Sequence, residues 1–283
     1  MRASRPRPWR SQRPRRPAPG TPAPARGTSL TLRFVALGYL AVLLLVPVGL
    51  VFWRTFEHGV APVWDSVTTP AAIHAFWLTV EVAAIAVPLN AIFGVVAALA
   101  LVRGRFPGKW LLDALVDLPF AISPVVVGLA LLLVFGRSGW LSDLPVQVIF
   151  AVPGIVLATV FVSLPFVARE VAPVLREVGD EQEQAAATLG ASRWQAFWRV
   201  TLPSIRWGLA YGVVLATARA LGEFGAVSVV SGKIAGQTET LTLLVEKRFE
   251  NFDLAGAYAA STLLALIALA TLLAMTALRR RAE

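Results

Sequence analysis

Long uncharged runs dominate the hydropathy pattern of this chain, and polar residues collect in the shorter segments between them. A helix needs about 20 mostly apolar residues to cross the hydrocarbon core of a bilayer. Six stretches meet this requirement, and we expect each to form a transmembrane helix: residues 34–53, 76–102, 110–136, 144–168, 207–231 and 254–278. The pattern therefore predicts an all-α, polytopic membrane protein with six transmembrane helices.

Basic residues predict the orientation of these helices, because Lys and Arg concentrate on the cytoplasmic side of a membrane protein. If six spans alternate in direction, 20 Lys and Arg residues lie on the side of the two termini and five lie on the other side. We therefore predict that both termini face the cytoplasm.

Composition and charge narrow the class of protein further. The chain is 57% hydrophobic, above the roughly 45–50% of soluble domains, which argues against an ordinary cytosolic enzyme. The net charge of +9 has a local origin, since residues 1–29 hold eight arginines, seven prolines and no acid. We predict that residues 1–29 form a disordered basic tail attracted to anionic lipid, and that residues 30–283 form one membrane domain. A charged tail gives no support for a nucleic-acid partner.

The longest polar segment between two predicted spans is residues 169–206, on the cytoplasmic side. Asp180 and Glu183 are typical of a helix start, and Gly190 suits a left-handed helix end. Ser192 with Gln195 has the spacing of a capping box, which predicts a second helix. The segment is therefore expected to form a helix, a glycine corner and another helix.

Three aromatic residues, Trp194, Phe197 and Trp198, fall at positions i, i+3 and i+4 of the second helix and form one face. This face suits two roles about equally on physical grounds. It can lie against lipid headgroups, as interfacial aromatic residues do, or it can dock a cytoplasmic partner.

The same loop resembles the EAA loop of ABC-importer permeases. That signature is Glu-Ala-Ala, three residues, Gly, nine residues and Ile-x-Leu-Pro. This chain has Gln184-Ala185-Ala186, Gly190 and Val200-Thr201-Leu202-Pro203 at the same spacing, with Gln184 in place of Glu and Val200 in place of Ile. The resemblance implies the ABC type I importer permease fold and a loop that seats in a cleft of a separate ATP-binding subunit. The implied coupling residues are Glu183, Gln184, Ala185, Ala186, Gly190, Trp194, Leu202 and Pro203, with either Glu183 or Gln184 facing the ATPase.

Residues 87–94, 105–109, 117–125 and 218–232 resemble, more narrowly, the W-type permease subunit of bacterial sulfate/thiosulfate ABC importers. This resemblance implies a multi-pass protein of the bacterial cytoplasmic (inner) membrane that imports sulfate or thiosulfate. It implies as partners two copies of an ATP-binding subunit, a second permease of T-type and a periplasmic or tethered sulfate-binding protein. ATP and Mg would be bound by the ATPase, and this chain would hold no cofactor. Transport of molybdate or tungstate, and homodimerisation, stay open.

Catalytic motifs are missing from the sequence. A phosphate-binding loop needs Gly, four residues and Gly-Lys-Ser/Thr, whereas the segment 107–110 has Arg103 where the first glycine belongs. The two histidines, His58 and His74, lie in a predicted outer loop, and neither HExxH nor GxSxG occurs. The absence of cysteine excludes a thiolate nucleophile and a Cys-based metal site. We therefore predict no catalytic residue, no metal site and no enzymatic activity of this chain alone.

Two alternative functions compete with transport. An intramembrane enzyme is a weak alternative, and a non-transporting anchor or sensor would leave the EAA-type spacing of the loop unexplained.

Arg219 and Glu223 lie inside the fifth predicted span, where an ionised side chain costs about 2.5–3.5 kcal/mol on insertion scales. Four residues apart on a helix, they can neutralise each other. An ion pair that holds the helix in register is slightly favoured over direct contact of Arg219 with sulfate. Involvement in a gate or in the interface between permeases is the favoured functional role. Gly222 and Gly225 permit close approach or local unwinding, so the predicted translocation or gate residues are Arg219, Gly222, Glu223 and Gly225.

Overall fold

The computed structural model describes residues 26–143 and 145–280, and the regular elements in this part of the chain are helical. In chain order they are α1 (Arg26–Phe56), α2 (Val60–Val67), α3 (Pro70–Arg103), α4 (Lys109–Ala121), α5 (Pro124–Phe135), α6 (Val152–Val178), α7 (Glu181–Thr188), α8 (Arg193–Ala196), a π-helical turn (Phe197–Thr201), α9 (Leu202–Leu221), α10 (Gly225–Val230), α11 (Leu241–Glu250) and α12 (Leu254–Arg280). The prediction of an all-α chain is confirmed for these residues.

The chain divides into one compact unit that ends at Leu50 and a second that begins at Val51. In the first unit the described residues belong to α1, which begins at Arg26. Residues 26–29 of the predicted tail are therefore helical, whereas residues 1–25 lie outside the described part. Both candidate sites lie in the second unit.

Four helices are long and apolar enough to cross a membrane: Phe34–Phe56 of α1, then α3, α6, and Leu254–Leu273 of α12. The pair α4 and α5 adds a fifth if the two helices together make one crossing. Helix α9 has sufficient length, but Arg206 and Arg219 leave it less apolar than the other four. Six spans therefore stay a prediction, and the structure supports four or five on length and composition.

The third predicted span, residues 110–136, is not one helix. α4 ends at Ala121 and α5 begins at Pro124, and the axes of the two helices differ by 112°. Proline disfavours a helical conformation in the residue before it, and Ser123 is indeed extended, with ψ 134°. Pro124 therefore marks a break in this segment rather than a kink.

The helix that covers most of the fourth predicted span, residues 144–168, begins and ends later than that span. α6 begins at Val152, where Pro153 occupies the first turn, and it continues to Val178. Proline is favoured at the start of a helix because the N–H it lacks has no intrahelical partner there. Residue Arg169, which was expected in the cytoplasmic loop, is therefore helical, and it pairs with Asp113 of α4 at 2.8 Å.

The fifth predicted span, residues 207–231, is interrupted as well. α9 ends at Leu221, residues 222–224 leave the helical conformation, and α10 resumes at Gly225. The interruption falls beside the break between α4 and α5, because α10 packs against α5. A Cβ atom on Gly225 would lie 2.9 Å from Pro124 Cβ, so glycine is needed for this approach.

Small residues allow α3, α6 and α9 to pack closely at the centre of the bundle. A Cβ atom on Gly94 of α3 would lie 2.6 Å from Val167 Cβ of α6, and one on Gly212 of α9 would lie 2.8 Å from Val167 Cα. Membrane helices associate through such close approach because lipid gives little hydrophobic driving force between them. The buried residues of this cluster are Val95, Ala98, Val167, Val171, Ala172, Leu175, Ile205 and Ala216.

Replacing Gly212 by Val should destabilise the protein, since the new side chain meets the backbone of α6. Overpacking of this kind costs about 1–3 kcal/mol, so the melting temperature in detergent should fall by several degrees. Ala210→Val is the matched control, because Ala210 is exposed on the same helix. Equal melting temperatures for the two variants would contradict this account of the packing.

Candidate functional site

The predicted helical corner is present, although it is shorter than residues 169–206. It comprises residues 179–201, between the end of α6 and the start of α9. Gly190 has φ 87°, as expected of a left-handed helix end. The predicted capping box is also present, since Ser192 Oγ accepts the N–H of Gln195 at 3.3 Å and Gln195 Oε1 accepts the N–H of Ser192 at 2.9 Å. Local sequence signals therefore identified the corner, but not its ends.

The predicted aromatic face is also formed. The ring centroids of Trp194, Phe197 and Trp198 lie 5.3–6.0 Å apart. The helix widens to a π-turn at residues 197–201, a departure from the expected α-helix. Trp194 is 68% exposed and Trp198 is 50% exposed, so the face is open to a lipid surface or a partner.

A surface groove of about 780 Å³ lies between α7 and the start of α9. Four signature residues line it together: Ala185 and Ala186 of α7, Val200 of the π-turn and Pro203 at the start of α9. Leu202 instead packs against the buried core cluster of α3, α6 and α9. The full lining is Gln182, Ala185, Ala186, Leu189, Arg199, Val200, Pro203, Ser204, Arg206 and Trp207.

The structure distinguishes Gln184, at the signature's first position, from Glu183, the residue before it. Glu183 is half-buried, and its Oε1 accepts the hydroxyl of Thr201 at 2.9 Å and lies 3.4 Å from Arg103 Nη2. Gln184 is exposed. Of these two residues, Gln184 is therefore the one available to a partner, whereas Glu183 is bound within the chain.

Arg219 and Glu223 form the expected ion pair, with Arg219 Nη2 2.8 Å from Glu223 Oε2. The Glu223 side chain is 1% exposed and lies beyond the end of α9, so the pair spans the helix end rather than one helical face. Glu223 Oε1 also accepts the N–H of Ala226 at 2.9 Å. One carboxylate therefore neutralises a cation of α9 and caps the first turn of α10.

Gly222 and Gly225 stand at the two edges of this break. Gly222 is the C-cap of α9, and a Cβ atom there would make only ordinary contact with Ala218 O, at 3.6 Å. Gly225 is the more constrained of the two, because its neighbour Pro124 leaves no room for a side chain.

Sequence reasoning missed the threonines that surround the break. Thr242 donates its hydroxyl to the carbonyl of Glu223 at 2.9 Å, and Thr79 accepts the N–H of Leu241 at 2.8 Å. The alternating threonines within residues 238–242 were a signal of a polar segment, but nothing local linked them to α3 or to Glu223.

A second missed contact joins α3 to α6. Asn90, fully buried, donates from Nδ2 to Ser163 Oγ at 2.7 Å. Both residues sit in predicted spans, where a single amide or hydroxyl did not stand out from the apolar run.

The chain is similar to known proteins over most of its length. Residues 90–283 match the family described as binding-protein-dependent transport system inner membrane component. The sulfate transport system permease protein CysW of Synechocystis is 51% identical over 251 residues, which cover 87% of this chain and 91% of that protein. The sulfate transport system permease protein CysT of Escherichia coli is 39% identical over 250 residues, covering 87% and 90%.

A solved structure shares the fold. It is a bacterial ABC transporter involved in the import of the acidic polysaccharide alginate, with a TM-score of 0.76 at 17% sequence identity. The match covers 90% of this chain and 96% of that one. At this identity the likeness establishes the architecture alone.

Replacing Arg219 by Gln should destabilise the protein, because the buried Glu223 carboxylate loses its counter-charge. Breaking a buried pair costs about 3–5 kcal/mol, and the partial exposure of Arg219 places the expected value near the lower limit. The double variant R219Q/E223Q should be more stable than R219Q, since the amide introduced by E223Q carries no charge and keeps an acceptor for Ala226. Thermal unfolding in detergent measures both changes. A double variant less stable than R219Q would show that the pair does not act as a unit.

Proposed function

The chain belongs to the family of binding-protein-dependent transport system inner membrane components, and we propose that it is a permease subunit of an ATP-driven importer that carries sulfate or thiosulfate across the cytoplasmic membrane. The observation that carries this proposal is the exposed helical corner at residues 179–201, which joins two long helices and brings four of the family's signature residues to one groove. Such a corner gives a nucleotide-driven partner a rigid point of attachment.

The anion is inferred from the relatives. The W-type relative is 51% identical over most of both chains, and the T-type relative is 39% identical over a similar length. Both are named as sulfate permeases, and the higher identity supports a W-type role for this chain. Selection of the anion would fall largely to a separate binding protein, so molybdate or tungstate is the alternative substrate.

The proposed topology has six crossings and two cytoplasmic termini. Helices α1, α3, α6 and α12 each provide one crossing, and the broken pairs α4/α5 and α9/α10 provide the other two. The distribution of Lys and Arg supports this arrangement, with 20 on the side of the termini and five on the other. The corner at residues 179–201 then faces the cytoplasm of a bacterium.

The proposed assembly contains a second permease of T-type, two copies of an ATP-binding subunit and a periplasmic or tethered sulfate-binding protein. ATP and Mg would be bound by the ATP-binding subunits, and this chain would act through movement alone. Binding and hydrolysis of ATP would shift the pair of permeases between two states by contacting the corner differently in each.

The break between α9 and α10 is the proposed gate element. Glu223 pairs with Arg219 of α9 and accepts an N–H from the first turn of α10, and Gly222 supplies a joint between the two helices. Because Arg219 and Glu223 neutralise each other, α9 and α10 can take up a second relative orientation while both charges stay paired. We infer an indirect role for the pair in sulfate passage, with Arg219 engaged by Glu223 rather than by the anion.

Uptake of labelled sulfate into proteoliposomes that contain the complete complex tests the proposed function. We expect uptake that requires internal ATP and the sulfate-binding protein, with strong competition by thiosulfate and weaker competition by molybdate. The opposite order of competition would favour a molybdate permease. ATP-independent accumulation, or none, would contradict an ATP-driven sulfate importer.

Introducing a charge at Leu189 tests the coupling surface, since this side chain is 89% exposed on the corner. A central interface residue contributes about 2 kcal/mol or more, so Leu189→Glu should weaken ATPase binding by about thirtyfold and reduce co-purification. Phe252→Glu is the control, because Phe252 is 87% exposed in the turn before α12, at the opposite end of the bundle. Equal co-purification of the two variants would exclude the corner as the docking surface.

A further inference from the structure

Arg103, the last residue of α3, reaches across to the helical corner. Its Nη2 donates to the carbonyl of Gly179, the residue that follows α6, and lies 3.4 Å from Glu183 Oε1 on α7. The side chains of Arg103 and Glu183 are 23% and 27% exposed, so neither is freely solvated.

Glu183 extends this connection to the second arm of the corner. Its Oε1 accepts the hydroxyl of Thr201, which is 5% exposed and closes the π-turn before α9. One carboxylate in the first turn of α7 therefore joins the end of α3 to the residue that precedes α9. π-Turns are found frequently at functional sites, and this one brings a buried hydroxyl to the carboxylate.

The charges make this connection stronger than a neutral one. Hydrogen bonds in which one partner is ionised are roughly twice as strong as those between neutral groups. Helix α3 also packs against α6, with Gly94 at the close approach, and against α9, so it belongs to the centre of the bundle. Arg103 thus ties the exposed corner to the part of the protein that is most tightly packed.

We propose that Arg103 is a positioning residue for energy coupling: it fixes the corner to α3 through Gly179 and Glu183, so that a displacement of α7 by the ATP-binding subunit moves α3 as well. This inference rests on the proposed function as a permease. It also accounts for Gln184 at the first signature position. The carboxylate of Glu183 pairs with Arg103 inside the chain, and the uncharged Gln184 faces the partner.

A mutant cycle in the complete complex tests the proposal. The variants are R103Q, E183Q and R103Q/E183Q, with R176Q as the matched control, because Arg176 is exposed in the last turn of α6 and its replacement removes the same charge. The readouts are ATPase co-purification, ATP hydrolysis, and sulfate taken up per ATP hydrolysed.

We expect the two single variants to retain the ATPase and to hydrolyse ATP, but to transport roughly fivefold or more less sulfate per ATP, since coupling between sites is typically worth about 5–150-fold. The double variant should be no worse than the poorer single variant, because the two residues act through one contact. A normal ratio for R103Q, or losses that multiply in the double variant, would overturn the proposal. A purely structural role would instead lower co-purification and hydrolysis together.

A second measurement does not depend on the transported anion. The chain has no cysteine, so a single nitroxide label can be placed at Ala187→Cys, an exposed position on α7. In the membrane-embedded complex the label should become more mobile in R103Q but not in R176Q. Unchanged mobility in R103Q would refute the connection to α3. Increased mobility together with no sulfate uptake by the parent complex would support the connection and reject sulfate as the substrate.

Discussion

A backbone N–H or C=O without a hydrogen-bond partner costs several kcal/mol inside hydrocarbon, and this protein nevertheless interrupts two of its predicted transmembrane helices. The two interruptions lie side by side, and side chains form hydrogen bonds with backbone groups at the one between α9 and α10. Glu223 accepts the N–H of Ala226, and Thr242 donates to the carbonyl of Glu223. Thr79 accepts the N–H of Leu241 from a distant part of the chain. These groups make an irregular backbone compatible with a membrane interior.

Two carboxylates carry much of the organisation around α9, one at each end of the helix. Near its start, Glu183 joins the exposed corner to α3 and to Thr201. At its far end, Glu223 pairs with Arg219 and caps α10. With 20 residues at 1.5 Å each, α9 spans about 30 Å between these points. A rigid helix of this length connects the proposed ATPase contact to the proposed gate, and its close packing on α6 limits the ways in which it can move.

The fold places these features where a transport cycle would use them. The corner lies outside the packed core and presents Leu189, Gln184 and Trp194. The break between α9 and α10 lies within the bundle, among buried side chains. The surface that would receive force and the joint that would respond to it are therefore separate, and a single continuous helix links them.

Features that depend on neighbours three or four residues apart could be predicted before any packing was known, because their partners are adjacent on the same helix or turn. The left-handed Gly190, the capping box of Ser192 and Gln195, the aromatic face and the contact of Arg219 with Glu223 follow from local spacing, and the structure contains all of them. The signature spacing also identified the family from the residues alone.

The packing of distant segments, in contrast, sets where helices break and which polar residue faces a partner. A proline or glycine in a membrane helix is compatible with a kink or with an interruption, and the outcome depends on whether other segments satisfy the freed backbone groups. Thr79, which accepts a backbone N–H at the start of α11, is 162 residues from Leu241, and the choice between Glu183 and Gln184 depends on Arg103, 80 residues before Glu183. Contacts over such separations leave no periodic pattern, so they emerge only when the helices are packed together.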